Sequence, residues 1–456
     1  MAKRRKKQTI KPIPIIILLI LLITVAGVGI YLYSTGKLDK FFKHNDSTIN
    51  EESSSIIASS KKQSHEEEDG IVEDIVYNDF QIHFLELGNK SAGDSVYIKA
   101  GNNDILIDAG STADSATTII NYINQYCTDG KLEYVFATHA HTDHISGFAG
   151  KVGNSSTVNA KGEHVERTGI FYYYEIGTLI DFAYKGSEGT DNKTAKASDY
   201  SSSTEYGKYL IGREYITNLN TIHYTAKELW DNNNTKIELT TDISVDILYN
   251  YYYFNKTSDE NDYSVCTLFN YKDHHYLLTG DLEKKGEQKL AEYYDSSTLD
   301  KTLPHCDLFK GGHHGSDTAS NEVLLSKITP DICCVCCCAG TSEYSPSNVI
   351  QFPSQDFVNR IAKYTSRVYV TSMYDKEIGD FTSLNGNIIV SSNGLKVGLS
   401  ASNNLIRLKD SDWFNEDIYV DSDGKNTSSK KDYNFFDENS PNVTKIKRRT
   451  WPDYGV

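Results

Sequence analysis

Positive charge is scarce over most of this chain. Against 62 Asp and Glu there are 46 Lys and Arg, and six of those fall within the first eleven residues. The remainder therefore holds 40 basic residues against 62 acidic ones, a net of −22. An acidic body repels a polyanion at long range, which disfavours unaided electrostatic capture of nucleic acid. A phosphate-bearing substrate would need a bound cation. The chain also lacks an internal repeat, and no CxxC pair in it is matched by a second one elsewhere, which argues against a thiolate metal knuckle. It does not lack apolar residues. At 39% hydrophobic over 456 residues it can bury one large or two ordinary cores, and a disordered chain is excluded.

The basic residues Lys3 to Lys11 precede a nearly unbroken apolar run from Ile13 to Tyr33, which matches the thickness of bilayer hydrocarbon. A cleavable signal peptide is the competing reading, but its apolar region is shorter and ends in a small-residue cleavage site. The expectation is a cytoplasmic tail (1–11), a membrane anchor (12–34) and a polar linker rich in Ser and Glu (35–78). The positive-inside rule then places everything beyond outside the membrane. Five of the eight cysteines lie in the apolar run Asp331-ICCVCCCAG. Adjacent strand residues point to opposite faces, so this reads as a buried strand of unpaired thiols acting as small hydrophobes.

From residue 79 to about 400, short apolar runs alternate with turn signals. Strands are expected at Phe80 to Leu87, Ser95 to Lys99, Asp104 to Ile107 and Tyr134 to Ala137, with a helix over Ala113 to Gln125. Later come strands at Ile243 to Tyr249, Val265 to Asn270, His275 to Thr279 and Asp307 to Lys310, a helix over Ser320 to Ile328, the cysteine strand, a helix over Ser354 to Tyr364, and strands near Val368 and Ile388. That order is β-rich with helices added outside. Residues 150–240, rich in Ser, Thr, Asn, Gly and Tyr, read as an insertion, either a lid over the site or a surface loop. The stretch 401–456 reads as a polar tail with a basic Lys445-IKRR cluster, either wrapped around the domain or left mobile.

Chemistry concentrates in Thr138-His139-Ala140-His141-Thr142-Asp143-His144, straight after an expected strand. Two histidines one residue apart can grip one ion, while Asp143 and His144 in the following turn can reach a second. Two further pieces follow. Tyr276-LLTGDLE delivers Asp281 from a strand end, where a carboxylate can bridge two cations. Leu308-FKGGHHGSDTAS delivers His313 and His314, one as the remaining ligand and the other as its support or a phosphate contact. The nitrogen and carboxylate set suits two divalent ions, zinc or manganese, which together can ionise water and stabilise attacking and leaving oxygens in phosphoryl transfer.

At these residues THAHTDHISG resembles the HxHxDH signature of the metallo-β-lactamase superfamily. More narrowly, Phe84-LELGNKSAGDSVYIKAGNNDILIDAG, Asn261-DYSVCTLFN, LLTGDLE and FKGGHHGSDTASNEVLL resemble, in order, the hydrolase domain of the bacterial competence protein ComEC. The resemblance implies an α/β, αββα sandwich behind an N-terminal transmembrane helix. It implies metal ligation by His139, His141, Asp143, His144, Asp281 and His313 or His314, with catalytic roles for Asp143 and Asp281. Asp108, in Ile107-DAG, would orient the site from behind. The family's histidine between the first motif and the bridging aspartate has no marked counterpart; His164 and His223 are the only candidates in the insertion. Where related domains carry Tyr-Gly-His-Pro, this chain has Gln351-Phe352-Pro353-Ser354. No stretch of this sequence is expected to form the family's pore-forming membrane domain. The expected activity is hydrolysis of phosphodiesters outside the membrane, on a surface polymer such as phosphocholine-decorated teichoic acid or on extracellular nucleic acid, the latter not favoured. The rivals are β-lactam or other amide and ester hydrolysis on the same fold, and a non-catalytic surface binding module for which the tracts Phe171-YYYE and Asn250-YYYF would serve.

Overall fold

The computed structural model describes residues 70–295, 302–341, 351–375, 377–420 and 444–455. The expected cytoplasmic tail, the anchor and most of the linker lie outside the described residues. Among those described, no helix is long and apolar enough to cross a membrane.

Two sheets face one another, one of nine strands and one of eight. Phe80, from the first sheet, sets its ring 6.2 Å from that of Phe269 and 5.0 Å from that of Tyr276, both from the second. Truncating such a ring in a closed interface costs about 3–5 kcal/mol. The cysteine strand Ile332–Ala339 shows how alternation builds the layers. Cys334 and Cys336 join the core between the sheets. Cys333, Val335 and Cys337 join a second core with residues of the helices Lys284–Tyr294, Glu322–Ile328 and Gln355–Ile361. Helices on the other sheet contribute Ile119, Ile123, Ile145 and Phe148 to the first core, so the layers run helix, sheet, sheet, helix. All eight cysteines are buried, and none stands in a disulfide.

Two expectations change, and for the tail the structure selects between the two alternatives. The sheet begins before the assigned end of the linker: Ile71–Glu73 already pairs, in parallel, with Val397–Ala401. The stretch 150–240 is not a detached insertion. Its strands Glu175–Asp181 and Ile222–Thr225 extend the first sheet in parallel beyond Lys131–Ala137, and its helix Glu205–Asn218 packs with the helix Thr142–Ala149. The end of the chain is a strap: Thr444–Lys447 pairs with Asp417–Val420.

This topology carries the site. Lys131–Ala137 lies between Asn103–Ile107 and Glu175–Asp181, all parallel, so residue 138 emerges at a carboxyl edge. The chain then turns straight into the helix Thr142–Ala149. Gly147 lets that helix pack close to the end of the strand Asn103–Ile107, because a Cβ there would lie 2.1 Å from the Ala109 carbonyl oxygen. In the facing sheet, Leu308–Lys310 lies between His274–Leu278 and Ile332–Ala339, also in parallel, and it delivers the histidine pair to the same edge.

Candidate metal centre

His139 and His141 turn their rings toward one another, with His139 Nε2 and His141 Nδ1 3.1 Å apart. The other nitrogen of His139 meets the hydroxyls of Thr138 and Ser264 at 3.1 and 3.4 Å. His139 is wholly buried, and burial together with its neighbours His144 and His141 pushes its pKa well below the ordinary value. It is therefore neutral at physiological pH, the form in which imidazole ligates a metal.

A second group forms around Asp143, His144, Asp281 and His314, whose potential ligand atoms all lie within 4.8 Å of one another. Asp281 Oδ2 lies 3.0 Å from His144 Nε2 and 3.3 Å from His314 Nε2. It is also 4.0 Å from the Nε2 atoms of His139 and His313. One carboxylate oxygen thus stands between both histidine groups. Asp281 is delivered by Gly280, whose φ of +57° and tight approach to Ser264 and Thr138 leave little room for a side chain.

Buried, opposed charges hold this apparatus together. Burial alone would lower the imidazoles of His144 and His314, but Asp281 outweighs it for both, with Asp108 for His144 and Asp94 for His314, and holds them well above the ordinary value. Burial would raise Asp281, yet His144, His314 and His313 hold it well below the usual carboxylate range. Asp281 Oδ1 is buried and accepts no hydrogen bond among the described residues. Nitrogen and oxygen donors converging on one buried carboxylate fit a pair of divalent cations, which would take the place of the protons that His144 and His314 carry without them. His139, His141 and Asp281 would hold one ion; Asp143, His144, His314 and Asp281 would hold the other.

Asp108 stands behind the centre as expected. Its carboxylate accepts hydrogen bonds from the Thr138 N–H at 2.8 Å and the Thr138 hydroxyl at 2.7 Å, and its Oδ2 lies 2.7 Å from His144 Nδ1. That contact turns His144 Nε2 toward Asp281. The histidine pair divides the roles left open by the sequence. His314 belongs to the four-residue group, its Nδ1 facing the Cys336 carbonyl at 3.0 Å. His313 stands at the rim, with Nδ1 3.1 Å from both Thr318 Oγ1 and Glu283 Oε1. Both are left-handed, with φ of 45° and 53°, a conformation that costs non-glycine residues about 1–2 kcal/mol each. Strain of this kind collects at working sites.

Neither candidate for a further histidine ligand reaches the centre. His223 Nε2 is 2.8 Å from Asp181 Oδ1, within a buried set that includes Tyr209 and Arg213. His164 is exposed and bonds the Thr157 carbonyl. Asp94 and Lys310, which no local pattern marks, are both 2% exposed or less. Lys310 Nζ lies 2.6 Å from Asp94 Oδ2 and 3.7 Å from Asp281 Oδ1. Asp94 Oδ1 is 3.2 Å from His314 Nδ1. This ion pair sits directly behind the ligands.

Residues 88–174, which include Asp94, Asp108 and the 139–144 cluster, match the family described as the metallo-beta-lactamase superfamily. Over that stretch the chain is similar to that superfamily. It is also similar to recombination protein 2 of Haemophilus influenzae, 32% identical over 117 residues, which are 26% of this chain and 13% of that protein. It is similar to competence protein ComA of Neisseria gonorrhoeae, 29% identical over 97 residues, 21% of this chain and 12% of that protein. The chain is thus similar to these competence and recombination proteins over part of its length, and it spans only about an eighth of each. Among solved structures, the metallo-beta-lactamase fold protein YhfI of Bacillus subtilis aligns over 64% of this chain and 95% of its own at 10% identity, with a TM-score of 0.32.

Proposed function

We propose that this domain is a two-metal phosphodiesterase, anchored by residues 12–34 and acting outside the membrane. The observation that carries the reading is Asp281 Oδ2, within 4.0 Å of Nε2 atoms from His139, His144, His313 and His314. A carboxylate so placed can serve two cations at once. The pair of ions would ionise water and neutralise the phosphoryl oxygens. The protein's own part is to hold them. Asp108 sets the His144 tautomer, and Asp143, 14% exposed at its side chain, stands at the open side, where it can orient the attacking water. His313, also partly open to solvent, faces the same entrance with Glu283 behind it.

The phosphodiester reading draws on the ComEC-like GDLE and HHGS segments. The acidic body favours a surface polymer such as a teichoic acid over a long nucleic-acid strand. The tyrosine tracts give little support to a pure binding module, because Phe171, Tyr172, Tyr174 and Tyr253 are buried as packing residues. Parallel assays on bis-p-nitrophenyl phosphate and nitrocefin, with added zinc or manganese, test the proposal. Turnover of the phosphodiester alone is expected. Turnover of nitrocefin alone would overturn it in favour of amide hydrolysis, and turnover of neither would favour the binding module.

A further inference from the structure

The C-terminal strap approaches the metal centre through one side chain. Arg449 is 2% exposed. Its guanidinium donates from Nε to the Pro353 carbonyl at 2.7 Å, from Nη2 to the Gln351 carbonyl at 2.6 Å and from Nη1 to the Arg448 carbonyl at 2.8 Å. The first two acceptors flank Phe352, so a single planar fork fixes both peptides around that residue. The ring of Phe352 lies 5.6 Å from that of His313 and 5.9 Å from that of His314. The same turn is clamped from the other side. Ser354 N–H donates to the Gly315 carbonyl at 2.8 Å, and Gly340 N–H donates to the Phe352 carbonyl at 2.9 Å. The strap has its own anchors. Thr450 and the Gln355 amide exchange two hydrogen bonds, at 2.6 and 2.8 Å. Arg448 pairs with Glu416 and lies 5.1 Å over the Trp413 ring.

Burying a guanidinium is costly, and here two of its carbonyl acceptors belong to the turn that walls the strained histidine pair. We propose that Arg449 is a positioning residue of the metal centre, fixing Phe352 as an apolar wall against His313 and His314, so that the strap completes a site whose ligands all lie far upstream. This rests on the two-metal reading. Left-handed backbone at His313 and His314 has to be held in place by its surroundings, and the Phe352 ring, on a turn that the strap's Arg449 clamps, is the apolar surface set against both imidazoles.

The test is a zinc titration of the full chain, followed by calorimetry, for the wild type, Arg449→Met, Phe352→Ala and the double variant. Each single change is expected to weaken metal binding on the order of tenfold, the usual consequence of losing an outer support of a ligand. The double variant is expected to bind no more weakly than Phe352→Ala, because Arg449 acts through Phe352. A wild type that takes up zinc, with Arg449→Met binding equally tightly or with losses that simply add, overturns this inference and leaves the metal centre standing. A wild type that takes up no metal overturns both. Should Arg449→Met fail to fold, Gln355→Ala, which loosens the strap at Thr450, is expected to weaken zinc binding in the same direction, and unchanged binding there overturns the proposal.

Discussion

Replacing Lys310 with Met probes the balance of charge behind the ligands. The substitution keeps the length and apolar stem of the side chain and removes only the ammonium group. That group lies 2.6 Å from Asp94 and 3.7 Å from Asp281, and it donates to the Gly280 and Gly311 carbonyls at 3.0 and 3.3 Å. Four carboxylates, those of Asp94, Asp108, Asp143 and Asp281, crowd this volume. Burial would raise Asp94, but Lys310, then His314 and His144, hold it below its ordinary value. Without Lys310 the Asp94 charge loses its closest partner, and breaking a buried pair in this way costs about 3–5 kcal/mol. Unfolding entropy of about 2.1 cal/mol/K per residue turns that loss into a fall in Tm of roughly 4–7 °C for a domain of this size. The metal dependence should move the opposite way. An ammonium group beside a cation site opposes cation binding, so the variant should gain more from added zinc or manganese than the wild type does. Calorimetric melting with and without metal reads both effects. A metal-free Tm within about 1 °C of wild type, or a smaller metal-induced rise, would refute the reasoning.

Asp108→Asn should retain the fold while weakening metal binding about 10–100-fold, because His144 loses the carboxylate that sets its tautomer; competition with a chromophoric chelator checks it, and unchanged affinity contradicts it. Asp281→Ala should abolish turnover of bis-p-nitrophenyl phosphate with the circular dichroism spectrum preserved, and full activity would end the bridging role. For Asp262, burial and then the neighbouring Asp259 and Glu283 raise the pKa to about 6. The stability this group contributes is present below the ordinary carboxylate value of 3.8 and is lost as pH rises through about 6. Asp262→Asn should therefore gain about 3 kcal/mol on the wild type between acid and neutral pH, and a gap in urea unfolding that stays constant over that range would be the contrary result.

Much of the centre was legible because its ligands arrive in short runs at strand ends. His139, His141, Asp143 and His144 share one turn, and Asp281 and the histidine pair each follow an apolar strand ending in glycine. The cysteine strand was legible from alternation. Other features left weaker signals. Asp94 and Lys310 are far apart in the chain and meet only in the fold, so neither carries a local mark. The strands Glu175–Asp181 and Ile222–Thr225 lie within a Ser- and Tyr-rich stretch whose polarity masked them, although Thr and Tyr sit well on a pleated surface. The helix Lys284–Tyr294 lies in a charged run that masks it, yet it buries Gly286, Glu287, Leu290, Ala291 and Tyr294, a helical period. The strap depends on long-range contacts of Arg449 and Trp413, for which no local pattern exists.

Elemental analysis of the freshly purified full chain, alongside Asp281→Ala, tests the central claim most directly. The account predicts about two transition-metal ions per wild-type chain and a marked loss of bound metal in the variant. Less than one ion in the wild type, or the same content in both, would contradict it.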